Sequence, residues 1–272
     1  MTPPRILIIA GSDSGGGAGI QADIKTVTML GGFAMTAITA ITAQDTRSVE
    51  AIMAVPADLV CKQIDMVLDD LGADAIKIGM IGAPEIALAV AERLERLGSV
   101  PIVFDPVMVA SSGSILADAA TIAAFERLMA AATLVTPNIP ELEVLSGRAI
   151  GTSADAEQAA LALSSRVGTA ILAKGGHLAG TRLVDILANE DESQCWESDR
   201  IDTTNTHGTG CTLASAIACG LGAGRPLADA VARARDYTRA AIEAGPGYGS
   251  GHGPVGHSLG RSPFEDIHRK VR

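Results

Sequence analysis

The chain has 272 residues, 47% hydrophobic, 19% charged and only 3% aromatic, and its 21 basic and 31 acidic side chains give a net charge of −10. That balance excludes a protein that grips nucleic acid by its phosphates, which needs a basic face, and a polybasic binder of membrane surfaces. The apolar fraction is too high for a disordered chain, and one Trp, two Tyr and four Phe leave the core to aliphatic side chains and alanine.

Arg5–Ala10 (RILIIA) is apolar at consecutive positions and predicts a strand buried on both faces; it is too short for the apolar region of an export signal. A glycine-rich loop follows, then a helix over Ile20–Leu30 stopped by Gly31 and Gly32. The β-branched run Phe33–Thr42 predicts a strand, Ala57–Leu71 a helix, Ala75–Ile78 a strand. In Pro84–Leu97, Ile86, Val90, Leu94 and Leu97 fall on one face, Pro84 suits a first turn and Gly98 a stop, which together predict a helix. Pro101–Phe104 reads as a strand, Ala117–Ala131 as a helix, Leu134–Thr136 as a strand and Glu141–Leu145 as a short helix. Ser153–Val167 is a helix capped by Thr152 or Ser153, Ala170–Ala173 and Arg182–Leu187 are strands, and Gly210–Leu221 and Leu227–Glu243 are the last helices. Strands alternating with helices of this length predict βαβ units, hence a mostly parallel sheet with helices on both faces and ligands at the carboxyl ends of the strands.

No repeat or linker divides the chain, so a single domain over residues 1–272 is expected. Gly245–Gly260 (GPGYGSGHGPVGHSLG), with seven glycines in 16 residues, reads as a mobile surface loop. The uncharged stretches Thr26–Gln44 and Thr203–Gly224 carry Gly and Thr, and the second also Asn205 and His207; they fit a protein core better than a membrane span. The four cysteines, Cys61, Cys195, Cys211 and Cys219, lack zinc-like spacing. With no export signal they predict free thiols and a cytoplasmic protein.

Several strand ends carry chemistry. Gly11–Asp23 (GSDSGGGAGIQAD) holds five glycines in nine residues, more than a turn needs, and so predicts backbone that approaches a ligand closely. It is neither a dinucleotide-binding GxGxxG nor a Walker A motif. In Asn205–Cys211 (NTHGTGC), Gly208 and Gly210 precede a helix, and their N–H groups with the positive helix end make an anion hole. Cys211 in the first turn is then expected to favour its thiolate, although a cysteine there can also be a core filler. In Thr136–Glu141 (TPNIPE), Asn138 and Glu141 suit Mg²⁺, directly or through water, and Glu141 equally suits a helix first turn. Asp105 (VFDPV) faces the same rim. Lys174 (AKGGH), one of five lysines, reads as phosphate-directed. Together these groups suit phosphoryl transfer, where a protein supplies positioning and charge.

The segments GSDSGGGAGIQADIKT, Ala43-Gln44, IKIGMIG, VFDPVM, TPNIPE, AKGGH and HGTGCTLASA resemble, in this order, the ribokinase-like family, and closely its branch of bacterial hydroxymethylpyrimidine and phosphomethylpyrimidine kinases of thiamine biosynthesis. The resemblance runs from about Arg5 to His257. It implies a three-layer αβα sandwich with a mostly parallel central sheet, a homodimer, and ATP with Mg²⁺. It implies two successive phosphorylations in one site, of 4-amino-5-hydroxymethyl-2-methylpyrimidine and of its monophosphate. It implies that Gln44 binds the amidine edge of the pyrimidine, which needs one donor and one acceptor, and that Gly11, Asp23, Met80 and Val107 line that pocket. It implies an anion hole of Gly208, Gly210 and Cys211, with Cys211 as general base. Asp105, Asn138 and Glu141 would serve Mg²⁺ and phosphates, with Asp105 and Glu141 on the metal, and Lys174 the nucleotide phosphates.

The first acceptor is an alcohol and gains from a base at Cys211; the second is a phosphate, anionic near neutral pH, and needs none. With so few rings, the pyrimidine is expected to rest on Gln44 and aliphatic contacts. The chain departs from the family in Asp45 after Gln44 and in GPVGHSLG near the end, so His257 receives no role. His177 and His207 read as structural. A pyridoxal or pyridoxine kinase of the same family and a non-catalytic pyrimidine sensor are the rival readings.

Overall fold

Apolar residues at consecutive strand positions are satisfied only if both faces of the strand are covered, and the chain folds to do so. The computed structural model describes residues 2–190 and 192–262. In β1 (Arg5–Asp13), Leu7 and Ile9 point into one core and Ile6, Ile8 and Ala10 into another. The first core is closed by α2 (Ala57–Asp70), α3 (Pro84–Leu94), α4 (Ala119–Ala131), α5 (Ile139–Ser146) and α6 (Ser153–Val167). The second is closed by α1 (Gly19–Met29), α7 (Thr209–Gly222) and α8 (Leu227–Glu243). This is the expected three-layer sandwich. With few rings available, alanine and aliphatic side chains fill both cores, and Phe104 against Phe125 is an edge-to-face pair at 5.1 Å.

The sheet has nine strands among the described residues, in the order β3-β2-β1-β4-β5-β6-β7-β8-β9. Here β2 is Phe33–Gln44, β3 Val49–Ala54, β4 Ala75–Ile78, β5 Ile102–Phe104, β6 Leu134–Val135, β7 Ala170–Ala173, β8 Arg182–Asn189 and β9 Glu192–Asp199. The six from β2 to β7 are parallel; β3, β8 and β9 join antiparallel. The chain leaves β1 for β2 on one side and returns to β4 on the other. That reversal opens a crevice at the carboxyl ends of the strands.

The structure corrects several expectations. β3 and β9 were not expected, because VEAIMA and ESQCWESD lie on the sheet margins, face solvent at nearly every position and show no alternation of apolar and polar residues. β1 runs on through Gly11 to Asp13 past a register shift after Ala10, so part of the glycine-rich segment is strand. β2 likewise extends to Gln44. α3 stops at Leu94, with Glu95–Leu97 in tighter turns. α4 starts at Ala119, because the Asp118 carboxylate caps it by accepting the Thr121 N–H. α5 reaches from Ile139 to Ser146, since Asn138 and Glu141 form a reciprocal capping box and Gly147 closes the end with φ 69°. Thr152 caps α6. No helix among the described residues is long and apolar enough to cross a membrane, and all four cysteines are free.

Segment 245–260, expected from its glycines to be a mobile loop, is hydrogen-bonded to the body of the protein. Its backbone is tied to three separate parts of the chain: Gly245 N–H to Ile242 O and Gly256 N–H to Ala241 O at the end of α8, His252 N–H to Thr46 O, and Gly253 N–H to Thr204 O. Several of its glycines serve close packing.

Candidate active site

A cavity of about 850 Å³ opens at the carboxyl ends of β1 and β4–β7. Gly11, Gln44, Met80, Asp105, Val107, Asn138, Glu141, Lys174, Gly208, Gly210 and Cys211 all line it, and among the described residues no Phe, Tyr or Trp does. Twelve site residues were expected from the sequence, and the structure brings eleven to one space. The exception is Asp23, fully buried beneath the wall.

One end of the cavity is built on the glycine loop. The Asp13 carboxylate accepts the N–H groups of Gly15 (2.8 Å), Gly17 (3.0 Å) and Ala18 (2.8 Å) and lies 2.9 Å from His207 Nε2. Burial alone would raise this carboxyl, but His207 and these N–H donors hold it below the ordinary range. Glycine is required at two positions. A Cβ on Gly19 (φ 57°) would stand 2.4 Å from Gly11 O, and one on Gly208 (φ 83°) 1.8 Å from Gly17 O. The loop and the start of α7 therefore touch backbone to backbone. Gln44 ends β2 with its Nε2 3.4 Å from His207 Nε2. With the His207 Nε2–H directed to Asp13, that nitrogen has no lone pair to offer, and the Gln44 amide N–H groups stay free for a ligand. Met80 and Val107 supply the aliphatic walls.

The other end is charged. Asp105 Oδ1 accepts from Lys174 Nζ at 2.7 Å and from Thr136 Oγ1 at 3.0 Å. The Lys174 N–H donates to Pro137 O, which sets β7's end beside Asn138. Burial would lower the Lys174 ammonium, but Asp105 and Glu141 hold it above its ordinary value. Burial pushes the Glu141 carboxyl up to about 7, Asp105 adds to this, and Lys174 opposes it. A Cβ on Gly210 would sit 3.2 Å from Lys174 Nζ and 3.4 Å from Asp105 Oδ2, so a side chain there would intrude on the pair. Arg235, held at 2.8 Å by Asp185, is a further cation on the cavity wall.

Three groups at the site were not singled out from the sequence. Asp13 and His207 form a pair 194 residues apart, which no local pattern announces. Lys77 is fully buried, and its Nζ reaches both Asp23 oxygens at 3.0 and 2.8 Å. Asp23, expected to line the pyrimidine pocket, is thus spent on Lys77 and on Ser215 Oγ, which donates to it at 2.7 Å. Lys77 itself lines the cavity. Its signal was present: one charge inside AIKI, a strand buried at every position.

Cys211 occupies the first turn of α7, but its thiolate is not favoured. Burial pushes the thiol up to about 11, Asp23 and Asp105 add to the effect, and Lys77 and the Gly19 N–H offset only part of it. At neutral pH Cys211 in this site is a thiol. The helix terminus is outweighed because its effect is at most about 2 kcal/mol, less than the penalty for a thiolate away from water and near carboxylates.

Mg²⁺ requires hard oxygen donors and normally takes one or two carboxylates together with substrate phosphates. Asp105 and the raised carboxyl of Glu141 fit that demand. No group of three metal-ligating His, Cys, Asp or Glu side chains lies together among the described residues.

A sequence profile described as phosphomethylpyrimidine kinase matches residues 13–256. The hydroxymethylpyrimidine/phosphomethylpyrimidine kinase of Rhizobium meliloti is 48% identical over 92% of this chain and 96% of its own. The thiamine biosynthesis bifunctional protein ThiED of Geobacter sulfurreducens is 46% identical over 96% of this chain, which spans 54% of that relative's length. Among solved structures, the ADP complex of Bacillus subtilis pyridoxal kinase superposes with a TM-score of 0.87 at 32% identity, covering 95% of this chain and 98% of that one. A phosphomethylpyrimidine kinase from Clostridium difficile gives 0.78 at 38% identity, covering 88% and 99%. The fold is ribokinase-like, and the chain belongs to the family of hydroxymethylpyrimidine/phosphomethylpyrimidine kinases, phosphotransferases of thiamine biosynthesis.

Proposed function

We propose that the protein transfers the γ-phosphoryl group of ATP to the hydroxymethyl oxygen of 4-amino-5-hydroxymethyl-2-methylpyrimidine, and then a second one to the phosphate of the product, in one cavity. The observation that carries this reading is the meeting of a neutral amide at Gln44 with a buried cluster of Lys174, Asp105 and Glu141 in the same 850 Å³ space. Gln44 donates to and accepts from the amidine edge, with Met80, Val107 and the Gly11 backbone against the ring. Lys174 meets the nucleotide phosphates. Asp105 and Glu141 hold Mg²⁺, with Asn138 orienting Glu141 through their shared cap. When bound, Mg²⁺ neutralises charge on the transferring phosphoryl group.

In each step the acceptor oxygen bonds to the γ-phosphorus while the bond from that phosphorus to the bridging oxygen of ADP breaks. The N–H groups of Gly208, Gly210 and Cys211 receive the charge that develops. The alcohol of the first step must also lose its proton. We assign that proton to the thiolate of Cys211, which forms when the thiol releases its own proton to solvent; burial opposes that release most, and cations that neutralise Asp105 remove part of the opposition. The phosphate acceptor of the second step is already anionic and needs no base.

The protein would act in the cytoplasm as a homodimer. Ile41 and Met53, opposite each other across the β2–β3 margin, form an exposed apolar pair suited to a second copy, and sedimentation would test this. A pyridoxal kinase is the second reading, favoured by the TM-score of 0.87 to such an enzyme. Incubation with MgATP and the hydroxymethylpyrimidine, with products separated by anion exchange, should show the monophosphate rising first and then the diphosphate. Absence of any phosphorylated pyrimidine contradicts the reading.

A further inference from the structure

Three segments meet at the pyrimidine end: the turn after β2, the approach to α7, and the glycine loop. None is adjacent in sequence to another, and a fourth segment joins all three. Gly251 N–H donates to Thr46 Oγ1 at 3.2 Å and His252 N–H to Thr46 O at 2.9 Å. The His207 N–H donates to Gly253 O at 3.0 Å. Pro254 packs so closely on the glycine loop that a Cβ on Gly17 would lie 3.1 Å from it.

The same segment is anchored behind. Val255 is buried, Gly256 N–H donates to Ala241 O, the His257 imidazole lies 3.1 Å from Thr212 Oγ1 on α7, and Tyr237 Oη of α8 donates to His257 O. The fit leaves no room for a side chain. A Cβ on Gly251 would stand 2.1 Å from Thr46 O, and one on Gly253 2.2 Å from Asn205 Oδ1. Thr46 is two residues from Gln44, and His207 precedes Gly208. The contacts made by 251–254 therefore determine where the ring-binding amide stands relative to the anion hole.

We propose that residues 251–257 are a strap that sets the span between Gln44 and the Gly208–Cys211 hole, and that Gly251 and Thr46 are positioning residues for the pyrimidine. The proposal rests on the pyrimidine reading above. It differs from a purely structural role in what it disturbs. The strap touches the pyrimidine end and makes no hydrogen bond to Asp105, Lys174 or Glu141, so loosening it should raise KM for the pyrimidine and spare KM for ATP.

The test is steady-state kinetics in both substrates for the wild type, Gly251→Ala and Thr46→Val, each checked for folding by circular dichroism. Gly251→Ala should raise KM for the hydroxymethylpyrimidine by about tenfold or more, as a displacement near 1 Å does, with KM for ATP unchanged within about twofold. Thr46→Val keeps the shape and removes one acceptor; it should raise the pyrimidine KM about threefold to fivefold. If Gly251→Ala does not fold, Thr46→Val decides. Folded variants with both KM values unchanged, or with both raised equally, overturn the strap while leaving the functional reading intact. A wild type that does not phosphorylate the pyrimidine overturns both.

Discussion

At one end of the cavity Lys174, Asp105, Glu141 and Lys77 are ionisable and buried or nearly so. At the other, Gln44, Met80, Val107 and Gly11 carry no charge, and the Asp13 carboxylate is spent on His207 and the N–H groups of the glycine loop. The difference shows how an acidic chain can host a polyanionic nucleotide. No overall positive field draws it in, so cations are concentrated at one end and held in place by carboxylates that a divalent cation can share. The neutral end can then select its ligand by hydrogen-bond pattern and shape.

That division can be broken most severely at the charged end. Lys174→Met removes the cation and leaves Asp105 buried without its partner. It should lower kcat by about 10²- to 10³-fold in both phosphorylation steps, with little change in KM for the pyrimidine. A loss confined to the pyrimidine KM would show that the two ends are not separate.

Cys211→Ala sharpens the comparison because Cys211 lies where the ends meet. It should slow formation of the monophosphate by about 10²-fold and formation of the diphosphate far less, measured by separate assays from each acceptor. Equal losses would remove Cys211 from the proton's path and agree with its raised thiol. Gln44→Ala comes next. It should raise KM for the pyrimidine by about 10-fold to 50-fold, the worth of one or two hydrogen bonds to a buried edge, and leave KM for ATP unchanged.

The smallest effect on activity comes from His257, which ties the strap to α7. Burial, assisted by Lys25, lowers its pKa to about 4. The neutral ring is the one that fits, so protonation favours the unfolded chain. Its contribution to stability is complete above pH 6.5 and is lost as the pH falls from 6.5 towards 4, by about 3 kcal/mol in total. Denaturant titrations across this range should show that slope in the wild type and a shallower one in His257→Gln; identical slopes would exclude the imidazole as its source.

Much of the site is legible in the sequence because phosphoryl chemistry at strand ends leaves local marks. Gly208 and Gly210 before a helix, Asn138 three residues before Glu141, and Lys174 ahead of two glycines are all patterns within a few positions. What escaped the sequence is tertiary. Asp13 reads as one polar residue of a turn until His207 arrives to pair with it. Asp23 reads as a pocket residue until Lys77, from the neighbouring strand, claims it. Cys211 reads as an activated thiol until burial and Asp105 are counted. The strap reads as a mobile loop because its glycines are there to admit Thr46 and Asn205, which lie far away in the chain. The marginal strands β3 and β9 are hidden for the opposite reason: they bury too little to need an apolar pattern.

The most direct measurement compares acceptors. Wild-type protein with MgATP should convert the hydroxymethylpyrimidine through its monophosphate to the diphosphate, consuming two ATP per ring, and should act far more slowly on pyridoxal. Rapid formation of a single phosphate ester from pyridoxal, with the pyrimidine left untouched, would contradict the account.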